Sequence, residues 1–147
     1  MVNAAFVGRA LPPTPPYRVS REKIREFALA VGEGAPVCSD VDAARAGGHP
    51  DVVAPPTFAV TFTMPAMEAL LRDPELGWDY SRMVHGDQSF TAHRPIHAGE
   101  ELVTVLHVDE LRSRAGSHFL TLRCEVADTA GEPVLTTTAL LVTQAAP

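Results

Sequence analysis

Histidine, cysteine and carboxylate side chains carry most acid–base, nucleophilic and metal chemistry. The sequence holds six histidines, two cysteines and 18 carboxylates. His93 and His97 are four apart, with Pro95 between them. A proline there forbids the helix that would bring two imidazoles onto one zinc-binding face, so no metal is expected. His85-Gly86-Asp87 sets an imidazole two residues from a carboxylate. That pattern is either a base with its orienting acid or an ordinary strand-edge pair. His49, His107 and His118 have no partner pattern. Cys38 and Cys124 form neither a disulfide framework nor a zinc motif, and read as free thiols in a reducing cytosol. There is no Gly-x-Ser-x-Gly, phosphate-binding or dinucleotide-binding motif, so no cofactor is expected.

The chain that must position these groups has 147 residues, enough for one domain with a real core. Hydrophobic residues make up 46% and charged residues 20%, which excludes a mainly disordered chain. A net charge of −6 gives no nucleic-acid footprint. The apolar runs fall well short of the ~20 residues of a membrane span, and the N-terminus lacks the pattern of a signal peptide. A cytoplasmic protein is expected, with no membrane and no nucleic acid among its partners.

Three sections follow from local chemistry. Residues 1–16 carry Pro12, Pro13, Pro15 and Pro16, and should form an extended strap over the surface of a domain spanning 17–147. Residues 17–72 read as helical. Ser20 caps a helix whose apolar stripe is Ile24, Phe27, Ala28 and Val31, ended by Gly32 and Gly34. Asp40 caps a short helix through Ala46, stopped by Gly47-Gly48. Thr57 is the expected cap of a longer apolar helix over Phe58, Phe62, Met64, Met67, Leu70 and Leu71, with Pro65 forcing a kink or a late start. Residues 84–142 alternate as strands, with hairpin signals at 114–117 and 128–131. The expectation is an α+β domain in which an antiparallel meander of four or five strands is covered by one apolar helix.

Two stretches carry a resemblance. One is Gly32-Glu33-Gly34-Ala35-Pro36-Val37-Cys38-Ser39-Asp40, continuing to Val53-Ala54-Pro55-Pro56-Thr57-Phe58. The other is Val84-His85-Gly86-Asp87-Gln88-Ser89-Phe90, followed by His93-Arg94-Pro95-Ile96-His97-Ala98-Gly99-Glu100-Glu101-Leu102. Together with residues 17–27 these resemble the MaoC-like hot-dog hydratases. They are most similar to the non-catalytic, substrate-binding subunit of actinobacterial (3R)-hydroxyacyl-ACP dehydratase. The resemblance implies a single hot-dog domain, an antiparallel sheet wrapped around a long central helix with short helices before it. It also implies an acyl-CoA or acyl-ACP ligand, and a homodimer or a heterodimer with a catalytic hot-dog subunit.

Active members of that family carry Gly-Asp-x-Asn-Pro-Ile-His and, later, Ala-His-Gly. The resemblance places the catalytic aspartate on Glu33, the asparagine on Ala35 and the catalytic histidine on Cys38. Ala-His-Gly falls on Ala54-Pro55-Pro56, where Pro56 has no N–H to polarise a thioester carbonyl. Glu33 and Cys38 are thus degenerate catalytic positions, implying a chain that does not hydrate alone. Pro56, Thr57, Phe58, Phe62, Met64 and Met67 are the candidates for lining an acyl groove. Two other readings stay open. One is an acyl-thioester hydrolase using Glu68 on the predicted helix with Asp87. The other is a homodimeric ligand-binding protein without catalysis. Arg112, Arg114 and Arg123 would be the local patch for an acidic carrier, or plain solvent-facing strand residues.

Overall fold

The computed structural model describes residues 1–144, so the last three residues of the expected domain lie outside the described residues. The elements in order are β1 (Tyr17–Arg18), α1 (Arg21–Val31), α2 (Val41–Ala46), α3 (Val60–Leu71), β2 (Val84–Ala92), β3 (Glu101–Arg114), β4 (Ser117–Asp128) and β5 (Pro133–Gln144).

The short helices start and stop where side-chain chemistry dictates. The Ser20 hydroxyl accepts from the Lys23 N–H at the start of α1, and Gly32 closes it at φ +75°. Asp40 accepts from the Asp42 and Ala43 N–H groups at the start of α2. Ile24 and Ala28 are buried, but Val31 is 51% exposed, so the apolar stripe of α1 loses the core in its last turn.

The central helix starts later than its sequence pattern suggests. Thr57 is exposed and caps nothing; the residue before α3 is Ala59, with no side-chain cap. Three tight turns precede it: the N–H groups of Phe58, Val60 and Thr61 donate to the carbonyls of Pro55, Thr57 and Phe58. The Pro55-Pro56 pair feeds these turns, and α3 then runs through Pro65. The Thr61 and Thr63 hydroxyls donate back to the Phe58 and Ala59 carbonyls, at 2.9 and 3.0 Å.

All five strands form one antiparallel sheet in the order β1-β3-β4-β5-β2. This corrects the expected meander. β2 does not pair with β3, which follows it, but crosses to the far side of β5. The reason is the connection 93–100: Pro95 and Gly99 (φ +93°) belong to a long loop that spans the sheet, not to a tight hairpin turn. The β3–β4 turn is tight, with Ala115 and Gly116 both left-handed, as a two-residue hairpin turn requires.

Alternate residues of β3, β4 and β5 point inward: Leu102, Leu106 and Val108; Leu120, Leu122, Cys124 and Val126; Ala139 and Leu141. They bury α3, which joins two core clusters. Its N-terminal end packs Phe58 and Phe62 with Ile24, Leu102 and Val134; its C-terminal end packs Met67, Leu70 and Leu71 with Phe6, Trp78 and Leu122. Among the described residues no helix is long and apolar enough to cross a membrane.

A bidentate ion pair fixes α1 to the loop before the central helix. Arg21 Nε and Nη2 donate to the two Asp51 carboxylate oxygens, at 2.9 and 2.7 Å. The Arg21 hydrogen bonds hold the Asp51 carboxyl down to about 2. Its unfolded value lies near 4, so the stabilisation is present above that value and lost as pH falls through about 2. Asp51→Asn should therefore lower the melting temperature at neutral pH. The deficit against wild type should shrink between about pH 4 and pH 2, read by thermal unfolding across that window.

Candidate active-site cavity

A well-defined cavity has a volume of about 490 Å³. That is within the range of small-molecule sites, ~300–1,000 Å³. Three segments far apart in sequence build its walls: residues 33–38 after α1, residues 53–56 before α3, and residues 92–96 after β2, with Leu135 of β5 as a further wall. Backbone hydrogen bonds tie these segments together. The Val53 N–H donates to Val37 O and the Ala54 N–H to Ile96 O, both at 2.8 Å. The Ala98 N–H donates to Val52 O at 3.0 Å.

The walls are mainly apolar: Val37, Val53, Ile96, Leu135 and three prolines. The chemistry is confined to a few groups. Glu33 Oε1 accepts from the Ala35 N–H at 2.8 Å, folding the carboxylate onto its own loop. Cys38, in the tight turn Pro36–Cys38, is buried. Burial, and then the negative Glu33, push its thiol above the ordinary range. His93 Nε2 is 3.1 Å from the Thr136 hydroxyl. Arg94 borders the cavity, and its guanidinium meets Glu100 at 2.6 Å and Asp128 at 3.6 Å. Glu100 also accepts from the His97 N–H at 2.9 Å, so the cation is answered by two carboxylates.

Glu33, Cys38 and Pro56 therefore share one cavity. The other expected groove residues do not join them. Phe58 and Met67 are core, 0% and 1% exposed. Thr57 faces solvent and Met64 is half-buried against the second core cluster. Phe62 borders a different apolar groove, about 400 Å³, between Pro15-Pro16 and the Pro65–Ala69 side of α3, where its ring stacks on Tyr17 with centroids 4.8 Å apart. Sequence reasoning missed Val37, Val53, Ile96 and Leu135 as walls, and weighed His93 for metal alone. His85 Nε2 meets Gln88 Oε1 at 3.0 Å rather than Asp87. Glu68 accepts from the Tyr80 hydroxyl at 2.6 Å and borders no cavity described here. Arg123 pairs with Asp109 and Glu125, and Arg112 with Glu110, so two of the three strand arginines are neutralised. Among the described residues no group of three His, Cys, Asp or Glu side chains could hold a metal ion.

Comparison with known proteins agrees with this geometry. The FAS1-like dehydratase domain region matches residues 5–137. A UPF0336 protein of Saccharopolyspora erythraea is 55% identical over 141 residues, covering 96% of this chain and 90% of the relative. Among solved structures, a MaoC-like dehydratase superposes with a TM-score of 0.88 at 34% identity over 97% of this chain. This chain spans only 43% of that protein's length. The C-terminally truncated HadBC (3R-hydroxyacyl-ACP dehydratase) complex of Mycobacterium tuberculosis gives 0.85 at 28% identity, covering 93% of this chain and 96% of the matched one. The curled sheet around α3 is the hot-dog fold, and the chain belongs to the MaoC-like, FAS1-like dehydratase-region family.

The raised thiol makes a direct expectation. At pH 8, Cys38 should alkylate with iodoacetamide several-fold more slowly than the same thiol in the unfolded chain, since the thiolate is the nucleophile. Glu33→Gln should speed the folded protein's reaction, though it leaves part of the protection, because burial is the larger cause. Peptide mass spectrometry separates Cys38 from Cys124, whose thiol burial pushes up to about 11.

Proposed function

We propose that this chain is the acyl-thioester-binding, non-catalytic subunit of a (3R)-hydroxyacyl-thioester dehydratase of fatty-acid metabolism. The observation that carries the reading is the meeting of Glu33 and the buried Cys38 thiol in one apolar cavity.

Dehydrating a 3-hydroxyacyl thioester needs a base for the α-proton and an acid for the departing β-hydroxyl. A thiol whose ionisation is pushed upward stays protonated at neutral pH, and it is no base for a carbon acid. The one carboxylate bordering the cavity already accepts a backbone N–H. Pro56 brings no N–H to a thioester carbonyl, and losing one such donor costs roughly 10²–10³ in rate. A missing general base removes a further ~10²–10⁴. The binding part of the site is a mainly apolar cavity sized for an acyl group. A second hot-dog chain carrying the acid and base would complete the enzyme. The matched M. tuberculosis structure is itself a complex, which supports this arrangement.

The purified chain alone should not hydrate a medium-length trans-2-enoyl-CoA above the buffer rate. Turnover that disappears in Glu33→Ala would overturn the reading. Binding is read separately, by calorimetry with the same thioester. Ile96→Trp places an indole in the cavity and should weaken binding at least about tenfold. Unchanged affinity in a folded Ile96→Trp protein would move the acyl site elsewhere.

A further inference from the structure

Glu33 is disfavoured where it stands. It lies one residue past Gly32, the left-handed cap of α1. A helix presents the negative end of its dipole there, which suits cations and not carboxylates. α1 has no basic residue in its last turn to offset the charge. The Glu33 N–H still donates to Ala28 O at 2.8 Å, which ties the residue to the helix end. A local choice that works against the helix points to a use elsewhere.

The surroundings leave the charge standing. Glu33 Oε1 accepts from the Ala35 N–H, a bond that satisfies an oxygen but brings no cation. The guanidinium bordering the cavity, Arg94, meets Glu100 and Asp128 instead. The imidazole of His93 meets the Thr136 hydroxyl. Neither basic group on the cavity answers Glu33. Burial first, and then the Glu33 charge, oppose ionisation of Cys38, so the field of the carboxylate reaches the buried wall.

The cavity also has a direction. Cys38, Ala54, Ile96 and Leu135 are buried, while Pro56, His93 and Pro95 are exposed and Glu33 is half-buried. An alkyl chain seated on the buried walls leaves its head group on the exposed side, with Glu33.

We propose that Glu33 is a charge filter: it rejects a free fatty acid and admits the uncharged thioester of the same chain. The inference rests on the thioester reading of this cavity and adds what the site excludes. A carboxylate head would bring a second negative charge to a rim that already holds one, in surroundings that screen less than water. A thioester head brings none. Hydrolysis of the thioester yields that acid, so the excluded ligand is the nearest competitor with an identical tail.

Calorimetry on the full chain at neutral pH tests this with three ligands of one tail: octanoate, octylammonium and S-octanoyl-N-acetylcysteamine, an uncharged thioester. The wild type should bind the thioester and octylammonium each at least about tenfold more tightly than octanoate. Glu33→Gln keeps the shape and removes the charge, and it should narrow both ratios at least about fivefold. Glu33→Asp keeps the charge and should retain most of the wild-type preference. Octylammonium bound no more tightly than octanoate by the wild type would overturn the proposal without any variant. Ratios unmoved by Glu33→Gln, or lost equally in Glu33→Asp, would overturn it too. A wild type that binds none of the three would overturn the thioester reading and this inference with it. Binding of the thioester with no preference among the head groups would overturn the inference alone.

Discussion

The burial of α3 beneath the curled sheet is the constraint on which the rest of the structure depends. The helix has 12 residues, contains Pro65 and lacks a side-chain cap. Isolated helices shorter than ~12–15 residues are marginal even without a proline. Its stability must come from packing, and the packing is thorough: Met67 and Leu71 are each 1% exposed, and Phe58 just ahead of the helix is 0% exposed. Fully burying a side chain of that kind contributes roughly 1.5–3 kcal/mol. Because the helix is fixed by the sheet, so is the chain that enters it. Residues 53–56 run into the first turns with Val53 bonded to Val37 and Ala54 to Ile96. The cavity is the space left where those segments meet.

The surrounding electrostatics hold that cavity in shape. Arg94 borders it, yet Glu100 and Asp128 answer the guanidinium. The Glu100 side chain is only 9% exposed, so this ion pair is shielded and holds the 93–100 loop in place against the sheet. Glu33 is held by the Ala35 N–H. With the charges spoken for, the remaining walls are hydrocarbon, the His93 imidazole and the Cys38 thiol, whose ionisation burial pushes upward. Such a lining suits the acyl part of a ligand better than the developing negative charge of a thioester enolate, which needs fixed donors.

The parts of the fold legible in the sequence were those set by contacts within a few residues. Ser20 and Asp40 cap helices because a short side-chain oxygen reaches an N–H two or three positions on. Alternation along β4 followed directly from the period-two geometry of a strand. What depended on distant partners was not legible. The place of β2 beside β5 rests on a crossover loop whose path no local pattern encodes. The start of α3 moved from Thr57 to Val60 because consecutive prolines favoured tight turns over a capped helix. For the cavity, the quoted stretches 32–38, 53–58 and 93–96 were visible as motifs, yet their meeting was not. Leu135 gave no signal, because its role arises only where β5 passes the crossover loop.

The two edges of the sheet differ. Here the N-terminal segment covers the outer edge of β3 as far as Val108, while β2 has no strand on its outer side. The bulge between His85 and Asp87 interrupts the β2–β5 register, and a Cβ on Gly86 would sit 3.3 Å from Leu140 O. Gly86 thus lets β2 stay close to β5 through the bulge instead of twisting away from the sheet. An exposed edge kept in line with its sheet is costly unless something pairs with it, because it invites indiscriminate association.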